Sequence, residues 1–306
     1  MITTVIKGFC MGTADIIPGV SGGTIAFILG FYARLIEAIR AFDGTLIGYL
    51  YRGDPRAAAR HIDLGFLLSL GLGITMALFF FTQIVPLPSL LRTYPELVYG
   101  LFFGLLLASI GVLIHALERF ESRDGPWLLF GIMLGYWIVN LVPIHTPEEP
   151  WFIVISGSLA TCAMMLPGIS GSFVLLILKK YTYLLDAISS LDPGVLVPFG
   201  SGVLIGLLLF SHFLAWLLRN FYRLTFLVVT GVLIGSLWVI WPFQARTYQD
   251  VGGKSHLVTS TPIWPRELDE TTIAAACLIM VGVVTVIVIN SLAKRTGYRV
   301  GTKISV

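Results

Sequence analysis

Charge is scarce in this chain. Of 306 residues, 20 are Lys or Arg and 17 are Asp or Glu, 12% in all, against roughly 25% in soluble domains. Too little polar surface remains to cover a water-facing globule, which excludes an ordinary soluble enzyme, a disordered chain and a nucleic-acid binder. Cysteine is almost as rare: Cys10, Cys162 and Cys277 lie inside separate apolar stretches with no ligand-like spacing, so they read as packing residues rather than disulfides or metal ligands. The five histidines, His61, His115, His145, His212 and His256, do not cluster in a way that suggests a catalytic partner for a serine. A secretion signal is also missing, because the apolar stretch after Ile2 runs into Asp15 and Pro18 rather than a small-residue cleavage site.

What the chain has in abundance is apolar surface: 56% hydrophobic residues, 32 glycines besides, and a mean hydropathy of +0.88. Runs at Leu64 to Ile84, Pro95 to Leu117, Trp127 to Val142, Leu196 to Leu218, Leu224 to Trp241 and Thr272 to Asn290 are long enough for helices, which must cover ~30 Å of hydrocarbon at ~1.5 Å per residue. A membrane barrel would alternate apolar and polar residues instead. Four GxxxG pairs, Gly100/Gly104, Gly131/Gly135, Gly202/Gly206 and Gly231/Gly235, mark close helix crossings. Two more apolar regions, 4–40 and 151–190, are broken near their middles by DIIPGVSGGT (Asp15 to Thr24) and MMLPGISGS (Met164 to Ser172), where proline and clustered glycine stop a helix.

The two broken regions are copies. At an offset of 149, Val5 to Ile39 matches Val154 to Ile188 with 14 identities in 35 positions. The expected fold is therefore an all-α polytopic membrane protein with two repeats, residues 1–145 and 146–306, each a re-entrant broken hairpin followed by three transmembrane helices. If both hairpins return to the side they enter from, thirteen basic residues fall on one face and six on the other; if each crosses, the bias disappears. The positive-inside rule therefore favours re-entrant hairpins and cytoplasmic termini. Three crossings per repeat invert the second copy, the plan of many secondary transporters.

Both breaks lead into a new helix with hydroxyls at its start: Pro18, Gly19, Ser21, Gly22, Gly23 and Thr24 in the first, Pro167, Gly168, Ser170, Gly171 and Ser172 in the second. Helix starts offer amides without intrahelical acceptors, and glycine lets an oxyanion approach the backbone, so these eleven residues are the candidate anion-binding set. The competing reading is that they only permit tight turns and close packing. Gly19-Val20-Ser21-Gly22-Gly23 also fits a serine-hydrolase elbow, but a helix precedes it and the second copy breaks the pattern, so no catalytic residue is assigned. Ionisable residues in apolar stretches are candidates for charge handling or coupling: Asp15, whose repeat partner is Met164, then Arg34, Glu37, Arg92, Glu96, Lys179 and Arg223.

The motifs ADIIPGVSGGTIA (Ala14 to Ala26) and LPGISGSF (Leu166 to Phe173) resemble those of the bacterial undecaprenyl phosphate translocase family. The resemblance implies a transporter of the bacterial cytoplasmic membrane that returns the C55 carrier undecaprenyl phosphate from the outer to the inner leaflet, in support of cell-wall synthesis, by alternating access. The expected partners are that lipid and the surrounding membrane lipids, with a homodimer left open and nucleic acid excluded. No cofactor or metal is implied; coupling to a proton or sodium gradient or to the membrane potential stays open. The rival readings are a polyprenyl diphosphate phosphatase, against which Gly22 stands where that family's tip carries arginine, and a small-anion channel.

Overall fold

The computed structural model describes residues 2–16, 21–85, 90, 93–116, 120–141, 146–251, 254–265 and 269–295. Of the candidate residues, Pro18, Gly19 and Arg92 lie outside them. The chain is nearly all helical: α1 (Ile2–Asp15), α2 (Gly22–Ile28), α3 (Tyr32–Arg40), α4 (Gly44–Tyr51), α5 (Pro55–His61), α6 (Leu64–Phe79, extended by a π turn, Phe80–Ile84), α7 (Pro95–Ala116), α8 (Asp124–Val139), α9 (Pro150–Met165), α10 (Gly171–Ile177), α11 (Tyr181–Ser190), α12 (Pro193–Asn220), α13 (Tyr222–Ser236, extended by a 3-10 turn, Leu237–Ile240) and α14 (Glu270–Arg295). Four of its helices are long and apolar enough to cross a membrane, or up to six elements if each bent pair is one span. This is a multi-pass membrane protein.

Carboxylates start several of these helices. Asp43, Asp54 and Asp192 accept hydrogen bonds from first-turn amides of α4, α5 and α12, and proline fills the first turn of α5 and α12, where its missing N–H costs nothing.

Two expectations need correction. The fold is not purely α: β1 (Gln244–Val251) and β2 (Lys254–Pro262) form an antiparallel hairpin between α13 and α14. Polar, Thr-rich runs on either side of Gly252-Gly253 suit strands, and the segment is too polar for hydrocarbon. The outgoing arm of each broken hairpin is also not one helix. Between α2 and α3 the axis bends by 119°, with Gly30 at φ +70°, and at the equivalent position between α10 and α11 Lys179 takes φ +52°. The hydrogen bonds at the two bends correspond residue for residue: Gly30 N–H to Phe27 O and Phe31 N–H to Ala26 O in one, Lys179 N–H to Leu176 O and Lys180 N–H to Leu175 O in the other. Lysine holds a backbone conformation usually left to glycine, which is why the second bend is not visible in the sequence.

Packing is dominated by four helix pairs, α1 with α6, α9 with α12, α7 with α14 and α8 with α13. Small residues set the approach. A methyl group on Gly100 would lie 2.9 Å from Ala275 O, one on Gly135 2.6 Å from Val232 O, and one on Gly206 2.6 Å from Ser158 O. Each pair runs parallel, since contacts advance together along both helices: Gly8 and Gly12 meet Leu70 and Ile74, and Gly131 and Gly135 meet Val228 and Val232. One buried cluster joins Phe66 and Leu70 near the start of α6 to Leu214 and Leu218 near the end of α12, together with Tyr32, Leu35 and Ile36 of α3. The first hairpin thus brings the chain back to the start of α6, beside which α1 also begins. The second does likewise, with Ile153 of α9, Leu184 and Ala187 of α11 and Val195 at the start of α12 in one cluster.

Candidate functional site

The two breaks meet in the interior. Ser21, in extended conformation, caps α2: its Oγ accepts from Gly23 N–H at 3.2 Å and donates to Met164 O at 3.4 Å. Thr24 Oγ1 accepts from Gly168 N–H at 2.8 Å, and Tyr32 Oη donates to Met165 O at 2.7 Å. Three hydrogen bonds therefore tie the first break to the second, around Ser21 and Thr24 that are only 3% and 1% exposed. Gly168 holds φ +90°, and a methyl group there would lie 2.7 Å from Ser236 Oγ.

Asp15 supplies the remaining partner. Its Oδ1 accepts from Gly22 N–H at 2.7 Å, and a methyl group on Gly22 would stand 2.6 Å from both carboxylate oxygens. The junction thus differs from the expectation of open amides. Gly22, Gly23 and Gly168 all donate to side chains of the protein itself, from Asp15, Ser21 and Thr24. The second break is built differently. Ser170 is extended but makes no side-chain cap; its Oγ instead shares a 2.7 Å hydrogen bond with Ser172 Oγ. Gly171 is buried against α9, where a methyl group would lie 2.7 Å from Ala160 O.

The other charged candidates are not at this junction. Arg34 lies over the Phe66 ring, 4.4 Å from its centroid, and donates from Nε to Asp63 at 2.7 Å. The 119° bend places it in α3, off the axis of the helix that Ser21 caps. Glu37 receives both arms of Arg219 at 2.8 and 2.7 Å; these groups line a polar cavity of about 250 Å³ with Arg40, Asp43 and His61. Arg223 pairs through two nitrogens with Asp124, whose residue is 4% exposed. Glu96 borders a separate cavity of about 450 Å³ with Gln244, Asp269 and Thr272 near the β hairpin. Lys179 is exposed, whereas its neighbour Lys180 is buried, donates to Thr146 O at 3.0 Å and lies over the Tyr183 ring. Among the described residues no group of three or more His, Cys, Asp or Glu is placed to hold a metal ion.

Beside the junction an apolar cavity of about 570 Å³ runs between α1, α2, α7 and α14, lined by Phe9, Cys10, Thr13, Ile25, Ile28, Phe102, Leu278 and Val286 among others. Ile25 and Ile28 belong to the same short helix that Ser21 caps. Tyr32, Thr24, Arg219 and Asp124 were not legible as contacts; Tyr32 stands out only because Tyr181 repeats it.

Compared with known proteins, residues 11–258 match the profile of a family described as undecaprenyl phosphate translocase-like. The chain belongs to this family. Among curated relatives, a polyprenyl-phosphate transporter of Vibrio cholerae is 40% identical over 247 residues, covering 79% of this chain and 78% of that protein. A polyprenyl-phosphate transporter of Staphylococcus aureus is 29% identical over 259 residues, covering 78% and 85%. No solved structure matches. The matched range, residues 11–258, spans both breaks of this chain.

Proposed function

We propose that this chain carries undecaprenyl phosphate from the outer to the inner leaflet of a bacterial cytoplasmic membrane, by alternating access and without cleaving it. The observation that carries this reading is the buried meeting of two repeated Ser-Gly helix starts, bridged by Thr24 to Gly168 N–H at 2.8 Å and held on one side by the Asp15 carboxylate. A phosphate crossing hydrocarbon needs donors that replace water. In the closed arrangement described here, Asp15 and Thr24 occupy donors that the phosphate takes when the junction opens. The prenyl chain lies along the apolar cavity that shares Ile25 and Ile28 with α2. The relatives named as polyprenyl-phosphate transporters agree in substrate class.

The repeats are inverted in this reading. Support comes from the start of α6 packing at the end of α12, from the chain returning to its point of entry in both hairpins, and from the excess of basic residues on the face where α6 begins, which puts both termini in the cytoplasm. Opening toward that face requires the Glu37–Arg219 and Asp124–Arg223 pairs to part, because each joins a helix of one repeat to a helix of the other. Asp15 is the coupling group: releasing Gly22 N–H lets its carboxylate take up a proton, tying substrate entry to proton movement.

The test is purified protein in liposomes loaded with undecaprenyl phosphate on one leaflet. Relocation of the lipid without inorganic phosphate supports the proposal. Phosphate released from undecaprenyl diphosphate would assign a phosphatase instead, and anion current without lipid movement would assign a channel.

A further inference from the structure

The segment between α3 and α6 has no part in the proposed transport site, yet it has an ordered form of its own. Asp43 caps α4 through Thr45 and Leu46 N–H at 2.9 and 3.1 Å and meets His61 Nε2 at 3.0 Å, while the Tyr49 ring packs edge-on against His61 at 5.7 Å. These contacts fold α4 against α5 along one side. The other side of α4 carries Leu46, Ile47, Leu50 and Tyr51, which helical spacing puts on one face. No residue of α4 is buried, and Ile47, Leu50 and Tyr51 are 55%, 59% and 89% exposed. Directly after this face come Arg52, Arg56 and Arg60, all exposed. Among the described residues, none of the three lies within ion-pair distance of a carboxylate, and Arg60 Nε turns back to Arg56 O.

We propose that α4 and α5 form a membrane-surface clip, with the apolar face of α4 seated among acyl chains and Arg52, Arg56 and Arg60 gripping the phosphates of anionic lipids. Two facts on the molecule point to lipid rather than a protein partner. The clip connects directly to α6, an apolar helix that together with α5 makes a bent candidate span, so an eight-residue helix folded against α5 sits where such a span would meet the headgroups. Arg52, Arg56 and Arg60 have no carboxylate partner within the described protein, since Asp43 and Asp54 are taken up as helix caps, and three exposed cations complement an anionic surface. A helix with an apolar face and adjacent arginines is the form that lies in the interface plane. The inference does not depend on which lipid is transported.

The experiment places nitroxide labels at Thr45, Ile47 or Leu50, each as a single cysteine in a transport-competent background with Cys10, Cys162 and Cys277 replaced by alanine. The protein is held in nanodiscs of phosphatidylcholine with or without phosphatidylglycerol. Labels at 47 and 50 are expected to be reached by oxygen in preference to a water-soluble nickel complex, and the label at 45 the reverse. Nickel access at 47 and 50 equal to that at 45 overturns the proposal, as does dipolar broadening between labels on two chains, which would make this face a contact between copies. In the second arm, retention of phosphatidylglycerol through detergent exchange is measured for the Arg52→Gln, Arg56→Gln, Arg60→Gln triple variant, whose exposed side chains can change without unfolding α5. Each arginine near an anionic surface contributes about fivefold in affinity, so the triple variant should lose most of the bound phosphatidylglycerol. Wild-type retention would overturn the role given to the arginines.

Discussion

Replacing Asp15 separates a local cap from a working carboxylate. In the closed junction Asp15 Oδ1 accepts the buried Gly22 N–H at 2.7 Å. Alanine at this position leaves that donor without its partner, a cost of about 1–3 kcal/mol for a buried group. Asparagine keeps an oxygen in place and loses only the charge; since charge-assisted bonds are roughly twice as strong as neutral ones, it forfeits about half as much. If the carboxylate competes with phosphate for Gly22 N–H, weakening the closed form by about 0.5–1.5 kcal/mol raises the open fraction roughly 2- to 12-fold. Asp15→Asn should therefore show a lower KM for undecaprenyl phosphate, slower turnover because release is no longer assisted, and a weaker dependence on pH than the wild type. Liposome transport at graded lipid content and pH, with thermal unfolding of the purified protein alongside, reads all three. An Asp15→Asn protein with wild-type KM, turnover and pH profile would refute the argument.

Gly22→Val and Gly171→Val should each abolish transport and lower thermal stability, because added methyls would collide with Asp15 oxygens at 2.6 Å and Ala160 O at 2.7 Å; wild-type transport by both variants would remove the junction from the mechanism. Glu37→Arg should impair transport by breaking the pair with Arg219, a loss of up to about 1 kcal/mol for partly exposed groups, and Glu37→Arg with Arg219→Glu should restore most of it. Gly135→Leu should lower thermal stability sharply, since Val232 O stands 2.6 Å from where its first carbon would go. Outside the membrane, burial pushes the Asp43 carboxyl up, but the hydrogen bond from His61 and those from Leu46 and Thr45 N–H outweigh it and hold it below its usual value. A carboxyl depressed by folding stabilises above its unfolded pKa of about 3.9 and loses that contribution as pH falls through the folded value. The α4–α5 clip should accordingly loosen in hydrogen exchange only below about pH 4, and Asp43→Ala should loosen it at neutral pH by about 1 kcal/mol.

The long helices are legible because apolar length and glycine spacing act locally. Pro95 to Leu117 becomes α7 over Pro95–Ala116, and Gly100, Gly104, Gly131 and Gly135 lie where neighbouring backbones come too close for a side chain. Ser21 is readable as a cap for the same reason. What stays hidden depends on distant partners. Thr24 resembles any buried threonine until Gly168, 144 positions away, donates to it. Arg219 is one more basic residue at the end of an apolar run until α3 presents Glu37. The bend at Lys179 is invisible since nothing in lysine favours φ +52°, and the β hairpin escapes a search tuned to runs of hydrocarbon length.

The exchange of helices between the two halves has a consequence for biogenesis. The partner of α7 is α14, whose first residue, Glu270, is made roughly 150 residues after Ala116 ends α7. At about 5–20 residues per second, α7 waits on the order of 8–30 s with its glycine seam facing lipid or the insertion machinery. Nascent chains halted before Glu270 should thus be good clients for membrane quality-control proteases, and a gene split between Asn140 and Pro150 should yield stable product only when both fragments are made together.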